Sequence, residues 1–147
     1  MNQTIVVTAD YRAVPLKLAV VNYLQEQGYT VVDVGSTDAS TRDNYVKRAD
    51  AGVAAMRSHS ANFGIFLCGS GTGICIRANR FKGIRAVWAH VPLLARYGRE
   101  VNNANVLCLA GTLTTVADMQ AMVDTFLTTP FGGGHRAERV QELDSEA

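Results

Sequence analysis

The run Leu67–Arg80, LCGSGTGICIRANR, sets Cys68 directly ahead of three glycines at alternate positions, Gly69, Gly71 and Gly73. Glycine loses more backbone freedom on ordering than any other residue. Such a cluster suits a place where the backbone must come close to something, beside a reactive side chain. A phosphate-binding P-loop requires GxxxxGK[ST], and no lysine follows Gly73. A dinucleotide fingerprint requires GxGxxG after a first strand, whereas here the spacing is GxGxG after a third. The remaining chemistry is an anion-holding turn, in which backbone N–H groups at a helix start stabilise negative charge. Those donors would favour the thiolate of a neighbouring cysteine and make it a usable base or nucleophile. The plainer alternative is a buried, apolar Cys68 with glycines that only turn the chain. That alternative is the better account of Cys75 and Cys108, which fall in apolar helix and strand patterns.

The elements that must position this turn can be read along the chain. Thr4–Thr8 reads as a buried strand. Pro15 marks a helix start, with Leu16, Ala19, Val20, Tyr23 and Leu24 on one face and Gly28 closing it. Further strands are expected at Thr30–Val34, Phe63–Cys68, Ile84–Ala89 and Asn105–Ala110. Helices are expected over about Tyr45–Ser58, from the glycine turn to about Arg80, over Pro92–Glu100 and Val116–Thr128, and from Arg136 onward. Strands alternating with helices imply an α/β fold whose parallel sheet is covered on both faces, joined by right-handed crossovers. Ligands of such sheets bind beyond the carboxyl ends of the strands. Asp10 and Tyr11 follow the first strand, Cys68 ends the third and His90 follows the fourth, so all should lie along one edge.

Composition bounds the rest. The chain has 147 residues, 48% hydrophobic and 18% charged, which predicts one domain over residues 1–147 with a real core. A net charge of +1 gives no field for nucleic acid or an anionic membrane. No stretch reads as a signal peptide or a membrane span. Three cysteines, an odd number, favour reduced thiols in a cytoplasm, and their spacing does not suit a zinc site.

Three segments carry a family resemblance: GIFLCGSGTGICIRANRFKGIRAV, GREVNNANVLCLAG and GGGHRAERV. They resemble the ribose-5-phosphate isomerase B / galactose-6-phosphate isomerase family, and the likeness runs from the first strand to about Val140. The resemblance implies a Rossmann-like, three-layer α/β/α sandwich with a five-stranded parallel sheet and a C-terminal helix. It further implies a homodimer or tetramer with sites shared between subunits, and aldose–ketose isomerisation of a small sugar phosphate through a cis-enediolate, without metal or cofactor. By resemblance Cys68 is the base. Gly69, Ser70, Gly71, Thr72 and Gly73 surround the enediolate, with the Ser70 hydroxyl where the family often has threonine. Asp10 matches an acidic residue that contacts sugar hydroxyls, and Asn102 a polar contact reached from the neighbouring subunit.

Departures from the family pattern bear on the substrate. Tyr11 stands where the family has histidine, and Val101 replaces the histidine credited with ring opening. Thr112 replaces an arginine. Of two C-terminal arginines one is replaced by His135, while Arg139 is kept. New cations occur at Arg12, Arg77 and Arg136, and a relocated phosphate grip is one reading of them. Because valine transfers no proton, a substrate that needs no ring opening is expected. Tetrose and pentose phosphates rank together, ahead of hexose phosphates and free sugars. The alternative is a subunit that needs a homologous partner chain to complete its site.

Overall fold

The computed structural model describes residues 2–145. Its strands are β1 (Thr4–Ala9), β2 (Thr30–Asp33), β3 (Phe63–Cys68), β4 (Ala86–Trp88) and β5 (Val106–Ala110). Its helices are α1 (Val14–Glu26), α2 (Tyr45–Ser58), α3 (Thr72–Ala78), α4 (Pro92–Asn102), α5 (Val116–Thr128) and α6 (His135–Asp144). A 3-10 turn at Tyr11–Ala13 joins β1 to α1. All ladders are parallel, in the order β2-β1-β3-β5-β4.

Side chains alternate across the strands. Ile5, Val7, Ile65, Leu67, Leu107 and Leu109 pack with α1, α4 and α5 residues such as Val20, Ala95 and Phe126. Val6, Phe66, Cys68, Val106 and Cys108 meet Val53, Met56, Ile74 and Ala78 of α2 and α3. This is the expected three-layer α/β/α arrangement. β1, β3 and β5 are almost wholly buried, whereas β2 and β4 are only partly covered. That difference is why the central strands read as continuous apolar runs.

Several boundaries differ from the expected ones. β4 is confined to Ala86–Trp88 rather than Ile84–Ala89. Ile84 closes a turn by donating to the Phe81 carbonyl at 3.1 Å. The Arg85 N–H donates to the Asn105 side chain at 2.8 Å instead of a strand ladder. α3 ends at Ala78, before the expected Arg80, and α4 runs on past Glu100 to Asn102. α6 starts at His135, one residue earlier than expected.

The chain leaves β1 toward β2 on one side and returns to β3 on the other. The carboxyl ends of β1 and β3 therefore flank the reversal in strand order, where open α/β sheets form a crevice. No described helix is long and apolar enough to cross a membrane.

Candidate active site

Cys68 is the last residue of β3, 4% exposed, on the α2–α3 face of the sheet. The turn that follows it is held through its carbonyl groups. The Gly111 N–H donates to the Cys68 carbonyl at 2.8 Å. Thr112 donates to the Gly69 carbonyl through its N–H at 3.1 Å and its hydroxyl at 2.8 Å. The Trp88 indole N–H donates to the Ser70 carbonyl at 2.9 Å. All three anchors come from the β4 and β5 side.

A trans peptide points its N–H opposite to its C=O. The N–H groups of Gly69, Ser70 and Gly71 are thereby turned away from β5, toward the crevice between β1 and β3. None of the three donates to an acceptor among the described residues. Three adjacent, unspent donors beside a thiol form the kind of fixed cradle that receives a developing oxyanion. Ser70 and Thr72 hydroxyls bond each other at 2.8 Å at the rim.

The glycines are required here by close approach. Gly71 has φ +80°, and a Cβ on it would sit 2.8 Å from the Leu109 carbonyl carbon and 2.9 Å from the Trp88 indole. A Cβ on Gly73 would sit 2.9 Å from the Tyr45 ring. A Cβ on Gly69 would meet the Arg12 guanidinium at 3.0 Å. Tyr45, Trp88, Thr112 and Arg12 thus shape the turn; the glycines alone called for a close approach, and the fold supplies these partners, which the sequence did not name. Trp88 is further backed by His90, with ring centroids 4.8 Å apart.

Asp10 lies at the neighbouring strand end, 5% exposed, its N–H donating to the Leu67 carbonyl at 3.2 Å. Its carboxylate caps the 3-10 turn by accepting the Arg12 N–H at 3.1 Å. Burial pushes its pKa above 3.8, outweighing the opposing pull of that N–H and of the Arg12 charge. Tyr11, half-buried, follows directly. Asp10, Tyr11, Cys68, the glycine turn and His90 therefore share the carboxyl edge, as their places in the sequence require.

Asn102, His135 and Arg139 do not join them within one chain. α4 starts at the carboxyl edge and runs back across the sheet, about 16 Å for its eleven residues. Just past its end, the Asn105 carbonyl accepts from Gly64, four residues before Cys68 and thus about 13 Å along β3. Val101, Asn102, His135, Arg136 and Arg139 instead line a surface groove of about 490 Å³ between α4 and α6. Arg139 is bridged there to Glu142 at 2.8 Å. The other two thiols are packing groups on the α2–α3 face. Cys108 is fully buried, which pushes its pKa up, and the Cys75 S–H donates to the Ala86 carbonyl at 3.6 Å.

No cluster of three or more metal-ligating side chains occurs among the described residues. A family model described as Ribose/Galactose Isomerase matches residues 5–143. The chain belongs to the ribose/galactose isomerase family. A relative from Mycoplasma pneumoniae, named a probable ribose-5-phosphate isomerase B, is 33% identical over 143 residues, covering 97% of this chain and 94% of that one. A D-erythrulose-4-phosphate isomerase from Pectobacterium atrosepticum is 32% identical, covering 95% and 92% of the two chains. The crystal structure of a ribose 5-phosphate isomerase from Thermotoga maritima superposes with a TM-score of 0.94 at 40% identity, covering 98% and 99%. Membership places the chain among the sugar-phosphate isomerases and agrees with the resemblance carried by the cysteine–glycine turn.

Proposed function

We propose that this protein isomerises a short, open-chain aldose phosphate, with Cys68 as the base that moves the proton between C2 and C1. The Cys68 thiolate takes the proton from C2 of the aldose, and the electron pair passes to the carbonyl oxygen. The resulting cis-enediolate is held by the N–H groups of Gly69, Ser70 and Gly71. A proton passes from O2 to O1, and the Cys68 thiol returns its proton to C1 to give the ketose. Asp10 accepts hydrogen bonds from the sugar hydroxyls, and Tyr11, Thr72 and Gly73 complete the wall. The observation that carries this reading is the triple anchoring of the 68–70 carbonyls, which aims unspent donors into the crevice beside the thiol.

Substrate size follows from what is missing. Val101 offers no proton for opening a furanose, whereas a tetrose 4-phosphate cannot close one. The Pectobacterium atrosepticum relative, named for a four-carbon ketose phosphate, supports the same direction. Asn102, His135 and Arg139 reach such a site only from a second copy, because within one chain they lie at the far edge of the sheet. We therefore expect a homodimer or higher symmetric oligomer with shared sites.

A side-by-side kinetic panel of erythrose 4-phosphate, ribose 5-phosphate, allose 6-phosphate and galactose 6-phosphate tests the reading. Turnover of erythrose 4-phosphate at or above the rate of ribose 5-phosphate is expected. Efficient ribose 5-phosphate turnover with an inert tetrose phosphate would defeat the open-chain argument. Val101 and Thr112 also fit a second reading, a subunit that borrows those groups from an unlike homologous chain. Robust activity of the purified protein alone removes that reading.

A further inference from the structure

Of the three cations that the sequence singles out, two are already spent. Arg77 forms a two-pronged bridge to Asp50, at 2.7 and 3.2 Å. Arg136 turns to Glu100 at 3.3 Å. No carboxylate among the described residues pairs with Arg12.

The exposed Arg12 side chain rests on Gly69. Its backbone is fixed in the 3-10 turn by Asp10. Its guanidinium carbon and two of its nitrogens stand 3.0, 3.1 and 3.1 Å from where a Cβ of Gly69 would be. Near-equal distances mean that the flat face of the group covers Gly69. The N–H donors of a guanidinium lie in its plane, so they point sideways over Gly69 rather than into the turn. The Gly69 Cα follows that of Cys68 by about 3.8 Å, so the guanidinium is seated on the residue next to the thiol.

We propose that Arg12 is the specificity-determining residue that binds the phosphate monoester of the substrate while Cys68 works at C1 and C2. This inference rests on the isomerase reading above. In a tetrose 4-phosphate the phosphorus lies four bonds from C2, roughly 5 Å in an extended chain, a reach that suits a carbon at Cys68 and a phosphate at a guanidinium seated on the next residue. A planar fork with unspent donors matches the paired oxygens of a phosphate and gives the charge-assisted contact that the Thr112 and His135 replacements remove. Gly69 is then required twice, for the cradle and for the seat of the guanidinium.

Trp88 is the only tryptophan and touches the turn, so its fluorescence reports binding there without turnover. The full-length protein is titrated with 4-phospho-D-erythronate and with D-erythronate, alongside Arg12→Gln, Arg12→Lys and, as a charge control, Arg80→Gln. Arg12→Gln is expected to weaken 4-phosphoerythronate about 10- to 100-fold while leaving erythronate within about twofold. Arg12→Lys should recover part of the loss, and Arg80→Gln should match wild type. With erythrose 4-phosphate the same variant should act mainly through KM. Equal weakening of both ligands, no weakening, or an equal loss in Arg80→Gln would overturn the proposal. If wild type binds 4-phosphoerythronate through Arg12 yet isomerises no sugar phosphate, the phosphate grip stands and the isomerase reading falls.

Discussion

The carboxyl edge of the sheet and the α4–α6 groove hold the two sets of residues that the family resemblance singles out, and they are built in opposite ways. At the carboxyl edge the Cys68 turn is fixed by backbone carbonyls, each bonded to a neighbouring strand end or to Trp88. It is over-determined: little can move without breaking several bonds. In the groove, Arg139 and Glu142 form an exposed pair on one helix, and Arg136 shares Glu100 with Arg96. Exposed pairs of this kind contribute little to stability and hold their side chains loosely. On the proposed reading, the contrast separates a reacting half, where donors must be preset, from a recognition half.

Variants can break or sharpen that contrast. Cys68→Ala should leave the fold intact and lower kcat by about 100- to 10,000-fold, the range for losing a proton-transfer group. Circular dichroism and the kinetic panel together check this. Cys75→Ala should instead act mainly on stability, by about 1 kcal/mol. Normal turnover in Cys68→Ala would remove the reacting role from this edge.

The two halves can be tested as parts of one shared site by mixing. Asn102→Ala should be strongly impaired by itself. Co-refolding it with Cys68→Ala should restore about a quarter of wild-type activity, because half of the random dimers carry one intact site of two. No recovery, or a monomer by light scattering, would dissolve the shared-site argument.

A smaller effect is expected where one anchor of the turn is cut. Trp88→Phe keeps an aromatic ring against Gly71 and loses only the N–H bond to the Ser70 carbonyl. One such bond corresponds to about tenfold in kcat, with stability little changed. A change confined to KM would mean that Trp88 positions the sugar rather than the cradle.

The smallest effect is on stability. Asp10 has a raised pKa, so its ionisation opposes folding. Its favourable contribution is complete below the unfolded value near 3.8 and is lost as pH rises through the higher folded value. Asp10→Asn keeps a capping acceptor and should therefore raise Tm at pH 7, with the gain disappearing at pH 3. Activity should fall in the same variant.

The sequence by itself determined the alternation of strands and helices, because central strands buried on both faces must be continuous apolar runs. It also marked the cysteine–glycine turn as the candidate site, because glycines beside a cysteine are a local signal that needs no tertiary context. The boundaries of β4 were not legible, since Arg85 meets an Asn105 side chain twenty residues away instead of a ladder. Lys17 of α1 is 1% exposed and satisfied by Asp33 and the Ser36 carbonyl, both at 2.8 Å, partners that only the fold brings to it. Arg12, Arg77 and Arg136 look equivalent as letters. Only the tertiary structure sorted them, because a cation's availability depends on which carboxylate the fold brings within reach, and Asp50 and Glu100 reach two of the three.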